Sequence, residues 1–376
     1  MDRPERRTKN GGSMTKWYIV AGLCVVGVFL AYLLFMPTKG EPSPWKAPEA
    51  PSLESGPYAG NDRLKRVRPI AIGIGTGPEA LVIDPSRGDF LTGFSDGAVV
   101  RIGRDGQMLE VFGNTGGRPL GLAICPDGSV LVADALKGLL RIRSNGAAPE
   151  VLATEADGVP FKFVDNVAVD TAGRNAYFTD ASSKWGYGHD REDIVEHGGH
   201  GRLFRYDLAN GKIALVKDGI NFANGVVLGP DDSYLLLNES GSYRILRIWL
   251  NQSRFGQTEV FVDNLPGFPD NISFNGTDRV WIALPVPRDK MIDSLSGSPF
   301  LRKIIMRVQA LIDVPINRRA MAMAYDLNGQ LVANLQYKGD GAYDYITQVT
   351  EVDGDLYFGS LVQKSLATLP NWQQIK

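Results

Sequence analysis

One unit recurs along most of the chain and constrains its fold more than any other feature. It consists of a turn-rich approach, one or two amide or acid residues, and a short apolar run. Its clearest starts are Gly77-Pro78-Glu79-Ala80-Leu81-Val82-Ile83, Phe163-Val164-Asp165-Asn166-Val167-Ala168-Val169, Phe222-Ala223-Asn224-Gly225-Val226-Val227-Leu228 and Phe268-Pro269-Asp270-Asn271-Ile272-Ser273-Phe274. Further apolar runs follow across tight turns; Pro126-Asp127-Gly128 and Lys137-Gly138 divide one copy into three strands. A period of roughly 40–45 residues with three or four short strands is the sequence form of a propeller blade. Six copies fit between residues 66 and 376, which predicts an all-β, six-bladed β-propeller. The 43 glycines and 22 prolines of the 376 residues supply the turns such a chain needs.

The N-terminal part follows other rules. Trp17–Met36 holds twenty residues without a charge. At about 1.5 Å per residue a helix of this length spans about 30 Å, the thickness of the bilayer hydrocarbon. Arg3, Arg6, Arg7, Lys9 and Lys16 precede it, against Asp2 and Glu5. This basic excess predicts a cytoplasmic tail over 1–16 and a propeller on the non-cytoplasmic side. A cleaved signal peptide would have a shorter apolar core and a small-residue cleavage site after it, and neither is present. Residues 37–65, rich in Pro, Gly and Ser, read as an extended linker.

A helix is predicted at 299–314. Leu301, Ile304, Ile305, Val308, Leu311 and Ile312 share helical spacing, with Arg302, Lys303 and Arg307 facing away. Such a helix either packs its apolar face on the propeller or lies on an anionic membrane surface.

Composition removes several function classes. Forty basic and 42 acidic residues give no concentrated basic face for nucleic acid. Cys24 and Cys125 are too few for a disulfide framework. The three histidines, His189, His197 and His200, lie in one stretch, which argues against a zinc site assembled from separate elements.

The chemistry then falls to the blade starts. The first strand of a propeller blade lines the central channel, so polar residues at its start converge. Glu79, Asp165 or Asn166, Asn224, and Asp270 with Asn271 form that set. Capping of strand ends by local side-chain bonds is the competing explanation for any one of them. The same placement in four blades favours convergence. Carboxylates and amide carbonyls without His or Cys suit a hard cation, and Ca²⁺ above Mg²⁺. A cation of this kind can polarise a carbonyl, with Asp270 or Glu79 activating water, which points to hydrolysis of a small ester or lactone.

The segments GRPLGLAICPDGSVLVADALKGLLRI, FVDNVAVDTAGRNAYFTDASSKW, NGVVLGPDDSYLLLNES, PGFPDNI and ITQVTEVDGDLYFGSL carry a resemblance. Over about residues 70–370 the chain resembles the strictosidine synthase-like group of six-bladed propellers, whose wider superfamily includes paraoxonases and gluconolactonase/regucalcin proteins. The resemblance implies a Ca²⁺ held by Glu79, Asn224, Asp270 and Asn271. The third blade departs, with Asp165-Asn166 where relatives often have Asn-Asp. The resemblance to paraoxonases implies a histidine pair on the second blade, but Leu120 stands at the matching place, and Val132–Gly138 carries no histidine. That departure favours an alternative in which Ca²⁺ only staples the blades of a non-catalytic binding module. Strictosidine synthase implies a late glutamate for amine–aldehyde condensation; the late acids here are Asp344 and Glu351, and Glu351 reads as a solvated strand-end residue. Ser182–Gly201 holds all three histidines with Asp190, Glu192, Asp193 and Glu196. It reads as a polar rim loop, with a general base or second metal site at His197 and His200 as the sharper alternative. Trp185 and Tyr187 line an entrance or pack beneath that loop.

Overall fold

The computed structural model describes residues 11–312 and 316–375. The predicted basic tail before Gly11 and the last residues of the predicted helix 299–314 lie outside the described residues.

Six four-stranded antiparallel sheets make the body of the molecule. Their innermost strands are Leu81–Ile83, Pro119–Ile124, Val164–Val169, Ala223–Leu228, Ile272–Phe274 and Ile346–Val352, for blades 1 to 6. The first five blades are continuous in sequence. The sixth takes its outer strand from the other end of the chain: Arg68–Ile70 pairs antiparallel with Leu366–Leu369, Arg68 opposite Thr368 and Ile70 opposite Leu366. This strand closes the ring by holding the first and last strands of the propeller in one sheet.

Neighbouring sheets face each other, and each interface is apolar. Blades 2 and 3 meet at Leu131, Ala133, Phe178 and Phe204, and blades 5 and 6 at Trp281, Ala322, Val349 and Phe358. Middle strands are buried on both faces, as Val130–Asp134 and Tyr234–Glu239 are along their whole lengths. That is why they read as unbroken apolar runs rather than as alternating ones. Close approach near the channel requires glycine at two inner-strand positions. A Cβ on Gly121 would sit 2.6 Å from Asn166 Cα, and one on Gly225 2.6 Å from Asp270 O.

Helix α1 covers Gly11–Phe35, and its Lys16–Phe35 part is apolar and long enough to cross a bilayer. Residues 37–62 run without helix or strand, as their composition predicts, but they are docked on the propeller. Ser43 N–H donates to Glu196 O (2.9 Å), Trp45 stacks on His197 at 3.9 Å, and Arg288 Nη2 donates to Pro48 O (2.5 Å). Three further short helices lie on the same end: α2 (Asp190–Glu196), α3 (Lys290–Ser294) and α4 (Pro299–Gln309). The insertion after blade 3's second strand is therefore a helix with packed flanks rather than a polar loop.

Helix α4 is turned over relative to the first of the two expectations, an apolar face packed on the propeller. Arg302 and Arg307 are buried, whereas Phe300, Leu301, Leu311 and Ile312 are exposed by 55, 39, 53 and 58%. The physical reason is a shortage of donors. Segments with no regular partners leave carbonyls unpaired, and a guanidinium satisfies several at once. Arg302 donates to Val195 O (2.8 Å) and to Ser43 O. Arg307 donates to Met36 O and Leu33 O, both at 2.7 Å, and so caps the end of α1. Met306, on the buried side of α4, packs on Trp185 and Val195. Lys303 alone keeps an outward ion pair, to Glu41 at 2.8 Å.

Candidate functional site

Two of the predicted polar blade starts sit on β-bulges. The pairing register slips between Val164 and Val167 in blade 3, and between Ala223 and Val226 in blade 4. A bulge inserts a residue and re-aims the side chains beside it. Asp165-Asn166 and Asn224-Gly225 fall inside these slips, which is how a strand start directs a polar side chain into the channel.

The channel widens at this end into a cavity of about 1220 Å³. Glu79, Asp165, Asn224 and Asp270 line it, each from a different blade. Leu120, Phe163, Phe222, Phe268 and Leu361 add apolar wall. Tyr187, Asp190 and Ile194 of the blade 3 insertion, Ala47–Glu54 of the docked segment, and residues 285–294 roof it.

The polar floor is short of donors. Asp165 Oδ1, Asn224 Oδ1 and Asp270 Oδ1 are buried with no hydrogen-bond partner. A buried acceptor left unmade costs about 1–3 kcal/mol, so three together call for a positive group. Asn166 and Asn271 do something else. Asn166 Nδ2 donates to Asn271 Oδ1 at 2.5 Å, and Asn166 Oδ1 accepts from Val226 N at 3.4 Å. Neither lines the cavity, and Asn271 presents an unpartnered Nδ2. In blade 3 it is thus Asp165 that faces the floor. Among the described residues no three His, Cys, Asp or Glu side chains could hold a metal by themselves. A cation at this floor would need the Asn224 amide oxygen as well as the acids.

The floor's electrostatics agree with that need. Burial, opposed by Arg118 and reinforced by Asp190, pushes the Glu79 carboxyl up to about 7. Burial, then the neighbouring Glu79, raises Asp165 and Asp270 well above the ordinary carboxylate range. The like charges disfavour one another's ionised forms. One cationic side chain answers them: Arg118 Nη2 lies 3.5 Å from Glu79 Oε2, with Nη1 on Gly77 O (2.9 Å) and Nε on Tyr187 Oη (3.3 Å).

Arg118, Tyr187, Asp190 and Tyr345 belong to the site, and of these the sequence singled out only Tyr187 as an entrance residue. Arg118 lay outside the repeated position: it matches Phe163 and Phe222 in blades 3 and 4, two residues before the place where Leu120 stands against Asp165 and Asn224. Tyr345 had no signal that an amide-or-acid pattern could detect. It precedes blade 6's inner strand with a left-handed φ of 54° and lines the cavity.

The histidines do not meet. His189 Nδ1 is 2.9 Å from Glu192 Oε1 at the surface, His197 stacks on Trp45, and His200 Nε2 is 3.4 Å from Glu196 Oε1. None lines the cavity. Burial opposes ionisation of Glu196, yet His200, Lys184, the Glu41 N–H and the Trp185 indole together hold it down to about 2. Asp193, bonded to Ser182 Oγ at 2.5 Å, is pushed by burial up to about 7. These groups fasten the roof.

The late acids are also elsewhere. Glu351 is not solvated: its carboxylate accepts from Trp281 Nε1 (2.7 Å) and Trp372 Nε1 (3.0 Å), between blades 5 and 6. Asp344 accepts from Gln363 Nε2 at 3.1 Å. Neither lines the cavity.

The Strictosidine synthase family pattern matches residues 165–253, and the pattern for the strictosidine synthase-like N-terminal region matches 56–102. Protein STRICTOSIDINE SYNTHASE-LIKE 6 of Arabidopsis thaliana is 37% identical over 297 residues, 78% of each chain. The chain belongs to the strictosidine synthase-like family. Adipocyte plasma membrane-associated protein of Mus musculus is 32% identical, over 76% of this chain and 73% of its own. Among solved structures, a gluconolactonase of Xanthomonas campestris superposes with a TM-score of 0.58 at 14% identity, over 81% of this chain and 89% of its own. The calcium-binding protein regucalcin of Agrobacterium tumefaciens does so with 0.54 at 16% identity, over 80% and 90%. At such identities these two establish a shared propeller fold. Matches to this strictosidine synthase-like chain run through the blades that carry Glu79, Asp165 and Asn224.

Proposed function

We propose that this chain is a membrane-anchored, calcium-dependent hydrolase of esters or lactones. The observation that carries the proposal is the donor-poor floor: three unpartnered oxygens, from Asp165, Asn224 and Asp270, beneath an apolar-walled cavity. Glu79, Asp165, Asn224 and Asp270 would hold the ion. Asn271 joins them if its amide and that of Asn166 both turn over, which keeps their mutual bond and gives up the long one from Val226. A bound Ca²⁺ would draw electron density from a substrate carbonyl and make it easier to attack. Phe163, Phe222 and Phe268 would hold the substrate's apolar part and exclude water. Asp270 or Glu79 would take a proton from the attacking water. The gluconolactonase and the calcium-binding regucalcin that share this fold lend support from analogy. The basic N-terminal flank supports a propeller on the non-cytoplasmic side.

A second reading has its own observation. Leu120, 2% exposed, gives blade 2 an apolar residue where a base would be useful, as in a propeller whose ion only staples its blades. Condensation of an amine with an aldehyde is not favoured, because neither Asp344 nor Glu351 lines the cavity. The deciding experiment measures metal content and hydrolysis of a phenyl ester and lactone panel by the full chain and by Asp270→Ala. One calcium per chain, with activity lost in a folded Asp270→Ala, is expected. One calcium with no hydrolysis across the panel would leave the staple. No calcium would remove both readings.

A further inference from the structure

Helix α4 presents an apolar stripe to the outside: Leu301, Ile304 and Val308 continue into Leu311 and Ile312, with Phe300 beside them. Its arginines are turned inward onto carbonyls and Lys303 is paired with Glu41 at 2.8 Å, so the stripe carries no unpaired cation of its own. An exposed apolar face of this kind signals a partner. The place of α4 says which one. Arg307 caps the last carbonyls of α1, and Tyr32 Oη donates back to Arg307 O at 3.3 Å. Helix α1 is apolar and long enough to cross a bilayer, and α4 is bound to its C-terminal end. The stripe therefore continues the surface of an element suited to lipid. Gln309, one turn after Met306, lines the cavity, and so does Met291 of α3, which is 54% exposed. The cavity rim and the stripe are parts of one surface.

We infer that α4 seats in the bilayer interface by apolar contact, and that the cavity takes its substrate, an ester or lactone with a long acyl portion, from the membrane phase. The second half rests on the hydrolase proposal; the first does not. Seating of this kind needs no anionic lipid, because Arg302 and Arg307 face inward and Lys303 is neutralised by Glu41.

The test places an environment-sensitive fluorophore on the full chain in a Cys24→Ser background, at Leu301→Cys, Leu311→Cys or, as control, Phe255→Cys. Phe255 is 65% exposed in the turn at the opposite end of blade 4. In phosphatidylcholine vesicles carrying spin-labelled lipid, the labels at 301 and 311 are quenched and blue-shifted and the label at 255 is not, unchanged at high salt. Equal behaviour at all three sites, or quenching that appears only with anionic lipid, overturns the seating. The second arm compares Leu301→Glu/Leu311→Glu with the parent chain on a vesicle-resident long-chain ester and on a short soluble one. The expected result is a fall of about tenfold on the first alone. An equal fall on both overturns the membrane route. If the parent chain cleaves neither, the substrate half falls with the hydrolase proposal, while the quenching pattern still decides the seating.

Discussion

Acidification should release the docked segment before it harms the propeller, and His197 sets the range. Its ring stacks on Trp45 at 3.9 Å and 8°. Burial lowers its pKa from 6.5 to about 4; Glu239 opposes this, while Arg302 and Arg244 add to it. With the segment undocked, the imidazole returns to water and takes up a proton at its ordinary pKa. The docked state binds fewer protons between these values, so docking is strongest above pH 6.5 and weakens as pH falls towards 4. The whole difference is about 3 kcal/mol at about 1.4 kcal/mol per pH unit. At pH 5 it amounts to roughly a thirtyfold loss in the docking equilibrium. Asp193 is shifted the other way, but its partner Ser182 lies within the insertion, so lifting the segment leaves that bond intact. Hydrogen exchange reads the effect directly, because Ser43 N–H is held by Glu196 O and Trp45 N–H by Ser296 O. Corrected for intrinsic rates, their protection should fall about twentyfold between pH 7 and pH 5, and His197→Gln should abolish that pH step. An equal step in His197→Gln, or none in the parent chain, would refute the assignment to this imidazole.

Three further outcomes follow from packing. Gly225→Ala puts a methyl 2.6 Å from Asp270 O; it should cost about 1–3 kcal/mol in denaturant unfolding and, on the calcium proposal, lower the metal content as well. Glu351→Leu strands two indole N–H groups between blades 5 and 6. It should destabilise by about 1–3 kcal/mol per unpaired donor in thermal melts, with turnover per folded molecule unchanged. Arg302→Met leaves the Ser43 and Val195 carbonyls without their donor. Limited proteolysis should then cut first within residues 41–48, while the blades stay resistant.

The blades were legible because each is local. Turn residues such as Asp127-Gly128 and apolar runs such as Val130–Val132 lie within a few residues of each other, and their meaning does not depend on the rest of the chain. The channel acids were legible for a related reason: one position repeats in register, so Glu79, Asp165, Asn224 and Asp270 announce a common destination. What the pattern could not carry were contacts between distant segments. Helix α4 has the period of an amphipathic helix whichever way it faces. Only Ser43, Leu33 and Met36, hundreds of residues earlier, decide that Arg302 and Arg307 point inward. Glu351 looked solvated because its indole partners, Trp281 and Trp372, belong to other strands and turns. Tyr345 was invisible because its role depends on a left-handed backbone and a cavity, not on a polar side-chain type.

The docked segment and the ring closure have opposite consequences for a shortened chain. One that starts at Asn61 keeps Asn61 on Asn334 and Gln336, keeps buried Leu64, and keeps the closing strand Arg68–Ile70. The propeller should therefore fold and melt cooperatively without its anchor. The roof is another matter. Glu196 loses the Glu41 and Ser43 N–H groups, Arg302 loses Ser43 O, and His197 loses Trp45. Helix α2 has seven residues, too few to hold by its own backbone bonds in water. Hydrogen exchange in the shortened chain should thus rise across 190–197 while the inner strands keep their protection. If α2 stays as protected as in the full chain, the segment after the anchor is only a tether. If α2 loosens, that segment is a structural part of the cavity, and activities measured on the shortened chain describe a different site from the one at the membrane.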